Sequence, residues 1–226
     1  MRGVFVTGTG TEVGKTVVAA VIAHTLAGEG QRVAVFKPAV TGLEEEGEPD
    51  HALLRRAAGS EQSDAEISPY RYGPPMSPHL AAARAGEEIA PARLLEAAHA
   101  ASAAADVLVC EGVGGLLVPL NADYLVRDLA VDLALPIVVV ASPGLGTINH
   151  TLLTLAAARS AGLDVAAAVL TPWPEEPSPI EESNRETIAA LGEVEVEALP
   201  RLDLASPTTW PRLAPPPRRQ ARSPRG

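Results

Sequence analysis

The segment Gly8 to Thr16 reads GTGTEVGKT and sets an amine, Lys15, and a hydroxyl, Thr16, directly behind a glycine-bearing loop. Glycine lets a backbone close around an anion with its N–H groups pointing inward, and a helix that follows offers its positive end. Such a loop cradles the phosphates of a nucleoside triphosphate, with Lys15 reaching the β and γ phosphates and Thr16 ligating Mg²⁺. The loop is one residue longer than the G-x-x-x-x-G-K-[ST] pattern, because Thr9, Gly10, Thr11, Glu12 and Val13 separate Gly8 from Gly14. The strand-like run Val4 to Thr7 ahead and the helical stretch Lys15 to Ala27 behind, free of Gly and Pro, are the flanks this chemistry needs.

Other candidates stand at the ends of strand-like runs, where an open parallel sheet binds its ligands. The run Val33 to Lys37 ends in a lysine, and Pro38 biases Lys37 toward extended backbone that aims its ammonium off the strand tip. A second cation near the γ phosphate would stabilise charge in a transition state. The run Val107 to Glu111 ends in a carboxylate and continues Gly112-Val113-Gly114-Gly115, a natural Mg²⁺ ligand beside approachable backbone amides. Asp50 opens the helical run His51 to Ala58, as an N-cap or as a ligand. Asn149 follows Gly146-Thr147-Ile148 and either caps a helix or hydrogen-bonds a substrate. Ser77 has an ordinary capping explanation, and His79, with no Ser or Cys nucleophile pattern beside it, reads as structural. Cys110, the sole cysteine, lies in an apolar run and reads as core.

The elements that must position these groups alternate. Strands are expected at Val4 to Thr7, Val33 to Lys37, Val107 to Glu111, Ile137 to Ala141 and Val165 to Thr171. Helices are expected at Gly14 to Glu29, His51 to Ala58, Leu80 to Ala85, Ala92 to Ala104, Tyr124 to Leu133, Asn149 to Ala161 and Ile180 to Leu191. This is an α/β pattern: a parallel β-sheet flanked by helices on both faces, the three-layer sandwich of P-loop NTPases. Leu43 to Asp50, Ser60 to Pro78 and Pro172 to Pro179 are expected to be loops near the site or its rim. One domain is expected over 1–211, with a disordered Pro- and Arg-rich tail over 212–226. The formal charge of −10 argues against nucleic acid as a partner. The absence of a basic leader and of a long apolar run implies a cytoplasmic protein without membrane contact.

Taken in order and spacing, GTGTEVGKT, Lys37-Pro38 with Thr41-Gly42, Ser77-Pro78-His79, the EGVGG of 111–115 and Gly146-Thr147-Ile148-Asn149-His150 closely resemble the dethiobiotin synthetases, over residues 1 to about 204. The resemblance implies an ATP-dependent cyclo-ligase that closes a cyclic urea on 7,8-diaminopelargonic acid with CO₂ and ATP, releasing dethiobiotin, ADP and phosphate. By the same correspondence Lys15, Lys37 and Thr11 serve catalysis, while Thr16, Asp50 and Glu111 hold Mg²⁺, with Glu48 as the alternative to Asp50. Glu12, Val13, Gly14, Lys15, Thr16, Val17, Asp50, Glu111, Gly112, Val113, Gly114, Thr171, Pro172, Pro200, Arg201 and Leu202 would bind ATP. Thr11, Lys37, Thr41 and Gly114 would contact the diamine or its carbamate, and Asn149 would meet the far carboxylate across a homodimer interface. Where the family presents an adenine-reading Asn this chain has Thr171, which lacks the paired donor and acceptor of an amide and implies weaker discrimination among bases.

Three rivals share parts of this pattern. A P-loop switch ATPase of the partitioning or metal-insertion type usually carries a second lysine early in its phosphate loop, where this chain has Gly8, Thr9 and Gly10. The amidation domains of larger cofactor-making enzymes bring a glutamine-hydrolysing domain with a Cys nucleophile. A relative that only binds would not need Lys15, Thr16, Lys37 and Glu111 together.

Overall fold

A computed structural model describes Met1 to Leu213. Six strands form one wholly parallel sheet: β1 (Gly3–Gly8), β2 (Val33–Phe36), β5 (Val107–Glu111), β6 (Ile137–Ala141), β7 (Val165–Trp173) and β8 (Val196–Pro200), in the spatial order β2-β5-β1-β6-β7-β8. Two short strands, β3 (Ala39–Val40) and β4 (Tyr70–Arg71), pair separately. The expected three-layer architecture is present, because strands buried on both sides alternate their side chains between two apolar layers. Val4 and Val6 point into one layer with helix α1 (Lys15–Gly28), helix α2 (Asp50–Ala58) and Ile67 of the short helix α3 (Asp64–Ile67). Phe5 points into the other, where α4 (Pro78–Arg84), α5 (Pro91–Ala103), α6 (Val126–Leu133), α7 (Thr147–Ser160) and α8 (Pro179–Gly192) pack.

The central helix α1 is apolar nearly all round, and nine of its 14 residues are buried. A helix with that composition is covered on several sides. Its second cover is the segment after β8, for which the sequence analysis foresaw no packing role: Leu202, Leu204 and Leu213 join the α1 layer, and Trp210 is buried against His24 edge-to-face with ring centroids 5.4 Å apart. The Trp210 indole N–H donates to the Asp203 carbonyl at 2.9 Å, so its polar edge is satisfied. Arg212 pairs with Glu29 at 2.6 Å and the Leu213 N–H donates to the Thr25 hydroxyl at 3.1 Å. Of the expected disordered tail these two residues are thus seated on α1, and the remainder, 214–226, lies outside the described residues.

Several expectations are corrected. Ser60 to Pro78 is not all loop, because it contains α3, which Ser63 and Glu66 cap reciprocally, and β4. The strand β7 runs on through Pro172 and Trp173, pairing Trp173 with Pro200 of β8, a strand the apolar runs alone did not reveal. Its sequence, VEALP, alternates weakly and sits at the sheet edge, which explains the weak signal. Ser77 and Asn149 do not cap. Ser77 occupies the N-cap position without a side-chain bond, and the cap of α7 is Gly146, which puts Asn149 inside the first turn.

The opposite edge, β2, is closed by a side chain acting as a strand. The Gln62 amide accepts from the Val35 N–H at 2.9 Å and donates to the Val35 carbonyl at 3.1 Å, and one step on the Lys37 N–H donates to the Ile67 carbonyl at 2.8 Å. These bonds cover an edge that would otherwise present free backbone groups. Gln62→Ala leaves both Val35 groups without their partner and should lower unfolding free energy by about 1–3 kcal/mol. Urea denaturation checks this, and a change below about 0.5 kcal/mol would show that water replaces the amide without loss.

Candidate functional site

The phosphate loop leaves the end of β1 and turns back into α1. Gly14 adopts φ 90°, and a Cβ there would also lie 2.6 Å from the Thr171 methyl, so glycine is required both by conformation and by the neighbouring strand end. Glu12 takes a left-handed φ of 57°, a conformation uncommon for a non-glycine residue, at the exposed tip of the loop. Opposite it the Gly112 to Gly115 loop comes close. A Cβ on Gly115 would be 3.5 Å from the Gly8 carbonyl, so two backbones meet where side chains are absent. The Lys15 ammonium donates to the Gly10 carbonyl at 2.6 Å, folded over the loop it would share with phosphates.

At the centre stands Lys37, 3% exposed. Its ammonium lies 2.6 Å from Glu111 Oε1 and 2.8 Å from Asp50 Oδ2. The Thr16 hydroxyl donates to the same Glu111 oxygen at 2.9 Å. Four elements therefore converge through side chains: the end of β2, the end of β5, the first residue of α2 and the first turn of α1. Burial works against the Lys37 ammonium, but Glu111 and Asp50 outweigh it and hold its pKa above the ordinary lysine value. Lys15 goes the other way, its pKa lowered chiefly by burial with Glu111 only partly opposing. Burial would raise Asp50, yet Lys37 and the Thr16 hydroxyl hold it below the usual carboxylate range. For Glu111, wholly buried, burial prevails and lifts the carboxyl. The shared ammonium is stabilised by two carboxylates, while the deeper carboxylate is left undercompensated. A cation arriving there would correct that imbalance.

The donor set fits Mg²⁺. Glu111 Oε2 is buried and without a hydrogen-bond partner, a costly state for a carboxylate oxygen unless something cationic meets it. Two carboxylates and a hydroxyl are hard oxygen donors, and among the described residues no group of three His, Cys, Asp or Glu could cage a metal alone. Mg²⁺ characteristically takes one or two carboxylates and completes its shell with water and phosphate oxygens. Asp50, rather than Glu48, stands beside Lys37 and Glu111. Glu48 turns away into a two-pronged pair with Arg56, at 3.1 and 2.6 Å. The N-cap reading of Asp50 is also set aside, since Pro49 holds that position.

A cleft of roughly 540 Å³ gathers Thr11, Glu12, Gly14, Lys15, Thr16, Val17, Lys37, Thr41, Asp50, Glu111, Val113 and Gly114. Glu45, Glu46 and Glu48 form its acidic lip, and Leu53 and Leu204 are apolar walls that the sequence analysis did not single out. No histidine or cysteine lines it. Val13 and Gly112 sit just beneath: Val13 is buried, and a Cβ on Gly112 would strike Phe5 and Val126. Thr171, Pro172, Pro200, Arg201 and Leu202 lie outside this cleft at the paired ends of β7 and β8. Thr171 is 3% exposed with its methyl against the Gly14 backbone. Asn149 is exposed on α7 and does not line the cleft, and His79 is likewise exposed and apart from it. Cys110 is wholly buried in the sheet core, where burial pushes its thiol up and leaves it unreactive.

Comparison with known proteins gives one answer. A family profile described as an AAA domain matches residues 2–209. The cell division ATPase MinD of Pyrococcus furiosus superposes with a TM-score of 0.55 at 17% identity, covering 88% of this chain and 84% of that one, a likeness of fold alone. The ATP-dependent dethiobiotin synthetase BioD of Anaeromyxobacter dehalogenans (strain 2CP-C) is 44% identical over 200 residues, 88% of this chain and 89% of the relative. That of Rhodococcus erythropolis (strain PR4) is 41% identical over 197 residues, 84% and 83% of the two chains. With this identity over most of both chains, and with the phosphate loop, the paired lysines and Glu111 meeting in one cleft, the chain belongs to the ATP-dependent dethiobiotin synthetase family.

Proposed function

We propose that this chain closes the ureido ring of 7,8-diaminopelargonic acid, consuming CO₂ and ATP and releasing dethiobiotin, ADP and phosphate. The observation that carries this reading is the lining of the cleft, where Lys15 and Lys37 stand with Asp50 and Glu111 beneath an acidic lip and no histidine or cysteine is present. A reaction whose substrate brings both nucleophiles asks only for positioning and charge stabilisation. One amine adds to CO₂ and loses a proton to give a carbamate. A carbamate oxygen attacks the γ phosphorus and ADP leaves, forming a carbamic-phosphoric anhydride. The second amine then attacks the carbonyl carbon, phosphate departs with the C–O bonding pair, and the amine proton is released.

Lys15 and Lys37 neutralise charge on the transferred phosphoryl oxygens, and Thr11, Thr41 and Gly114 line the side of the cleft where the carbamate must lie. Thr16, Asp50 and Glu111 are the residues that would hold Mg²⁺, which would neutralise charge on the phosphate oxygens. The nucleoside is received by Pro172, Pro200, Arg201 and Leu202 at the ends of β7 and β8. Because Thr171 turns its methyl to Gly14, base recognition rests on backbone there and discrimination is weak. The working unit is a homodimer in the cytoplasm, with Asn149 of one chain meeting the substrate carboxylate at its partner's site. Exposed apolar side chains on either side of Asn149, Leu145 at 96% and Leu153 at 61%, support that face as the interface. Among the described residues no helix is long and apolar enough to cross a membrane.

Three outcomes are expected. Purified protein with Mg²⁺, ATP and bicarbonate should release phosphate only when the diamine is present, with a product of dethiobiotin mass. Turnover indifferent to the diamine would point instead to a switch ATPase. Lys37→Ala should lower kcat by about 10²- to 10³-fold, the scale of one preorganised electrostatic donor, and unchanged single-turnover phosphoryl transfer would remove Lys37 from the chemistry. Asn149→Ala should raise the diamine KM more than it lowers kcat, while a protein that sediments as a monomer with full activity would contradict the shared site.

A further inference from the structure

Arg56 occupies α2 two turns beyond Asp50 and uses three of its nitrogens at once. Nε and Nη2 form a fork on the Glu48 carboxylate, at 3.1 and 2.6 Å, and Nη1 donates to the Leu204 carbonyl at 2.9 Å. These contacts join two separate borders of the same cleft. Glu48 belongs to its acidic lip, two residues before Asp50, while Leu204 belongs to the segment that leaves β8 and packs beside Leu202 on the α1 layer with Val17. The guanidinium is therefore a strut across the mouth of the cleft, not part of its polar floor.

What the strut braces follows from which end of a triphosphate lies where. Lys37, Asp50 and Glu111 cluster on the β2 and β5 side, beside Thr41, so the reacting γ phosphate and its acceptor belong there. A nucleoside attached to the other end must leave the phosphate loop in the opposite direction, toward β7 and β8, whose ends abut Gly14 through Thr171. Leu204 is an apolar wall of the cleft, and Leu202, two residues nearer β8, lies outside it beside those strand ends. We infer that Arg56 is a positioning residue for nucleotide recognition: by tying the Leu204 carbonyl to the Glu48 lip it holds the nucleoside-side segment closed over the cleft.

The inference rests on the nucleotide reading of the cleft and deepens it. The side chains of Arg56 and Glu48 are 39% and 40% exposed, so the pair itself contributes little to global stability. Its effect is on the fraction of molecules whose segment is already docked, because apparent affinity falls in proportion to that fraction. Only a ligand that carries a nucleoside feels this term, and a bare triphosphate on the phosphate loop does not.

The test compares two probes by calorimetry with Mg²⁺: ATP and inorganic triphosphate. Arg56→Ala should weaken ATP by about tenfold, the scale of one charge-assisted hydrogen bond, and leave inorganic triphosphate within twofold of wild type. Arg56→Lys keeps the charge but not the fork, so it should behave like Arg56→Ala and serves if that variant does not fold. Glu48→Gln added to Arg56→Ala should cause no further loss, since both act through one strut. Equal losses for the two probes would overturn the inference, because Arg56 would then act through cleft charge, and so would unchanged ATP affinity. Wild-type protein that binds neither probe would instead overturn the nucleotide reading, and this inference with it.

Discussion

A single buried ammonium organises this molecule. Lys37 is removed from water at the tip of an edge strand, and only the two carboxylates beside it make that tolerable. Taking away one member of such a group leaves an uncompensated buried charge, a loss of about 3–5 kcal/mol. The requirement propagates outward. Glu111 must end β5 at the level where Lys37 leaves β2, which the parallel register pairing Phe36 with Cys110 ensures. Asp50 must begin α2, and α2 packs on α1, whose first turn carries Thr16 to the same Glu111 oxygen.

The same cluster explains why the chemistry needs so little else. Asp50 and Glu111 share Lys37 unequally, one held low by the ammonium and the other raised by burial, and Glu111 Oε2 is buried without a hydrogen-bond partner. Phosphoryl transfer asks for positioned charge and a dry, shaped cavity. Charge is held by buried side chains on strand ends, and shape by glycines that leave room for their neighbours, the Gly8 carbonyl beside Gly115 and the Thr171 methyl against Gly14. Rigid strand tips locate these groups more accurately than long loops could.

Much of the fold was legible because its signals are local. The five apolar runs are separated from one another by helical stretches, and every one became a parallel strand within a residue or two of its expected bounds. What escaped had weak or non-local causes. The edge strand β8 is interrupted by Glu197 and ends in Pro200, and β3 and β4 are two residues each, sustained by pairing rather than propensity. Trp210 and the leucines around it look like loop composition until α1 is seen to need a cover. Gln62 reads as an ordinary polar residue, yet its amide completes the β2 edge.

The candidate site divides along the same line. By itself the sequence determined the phosphate loop, the lysine after β2 and the carboxylate after β5, because each is a local pattern of residue type against a strand or helix boundary. It left open whether Asp50 or Glu48 faces the cluster and whether Asn149 caps a helix, since both depend on where a side chain points once remote segments meet. Tertiary structure decided these: Arg56 draws Glu48 away toward Leu204, Lys37 takes Asp50, and Gly146 takes the cap. Charge pairing acts through space at a few ångströms, between residues separated by tens to hundreds of positions, and no periodicity along the chain encodes that distance.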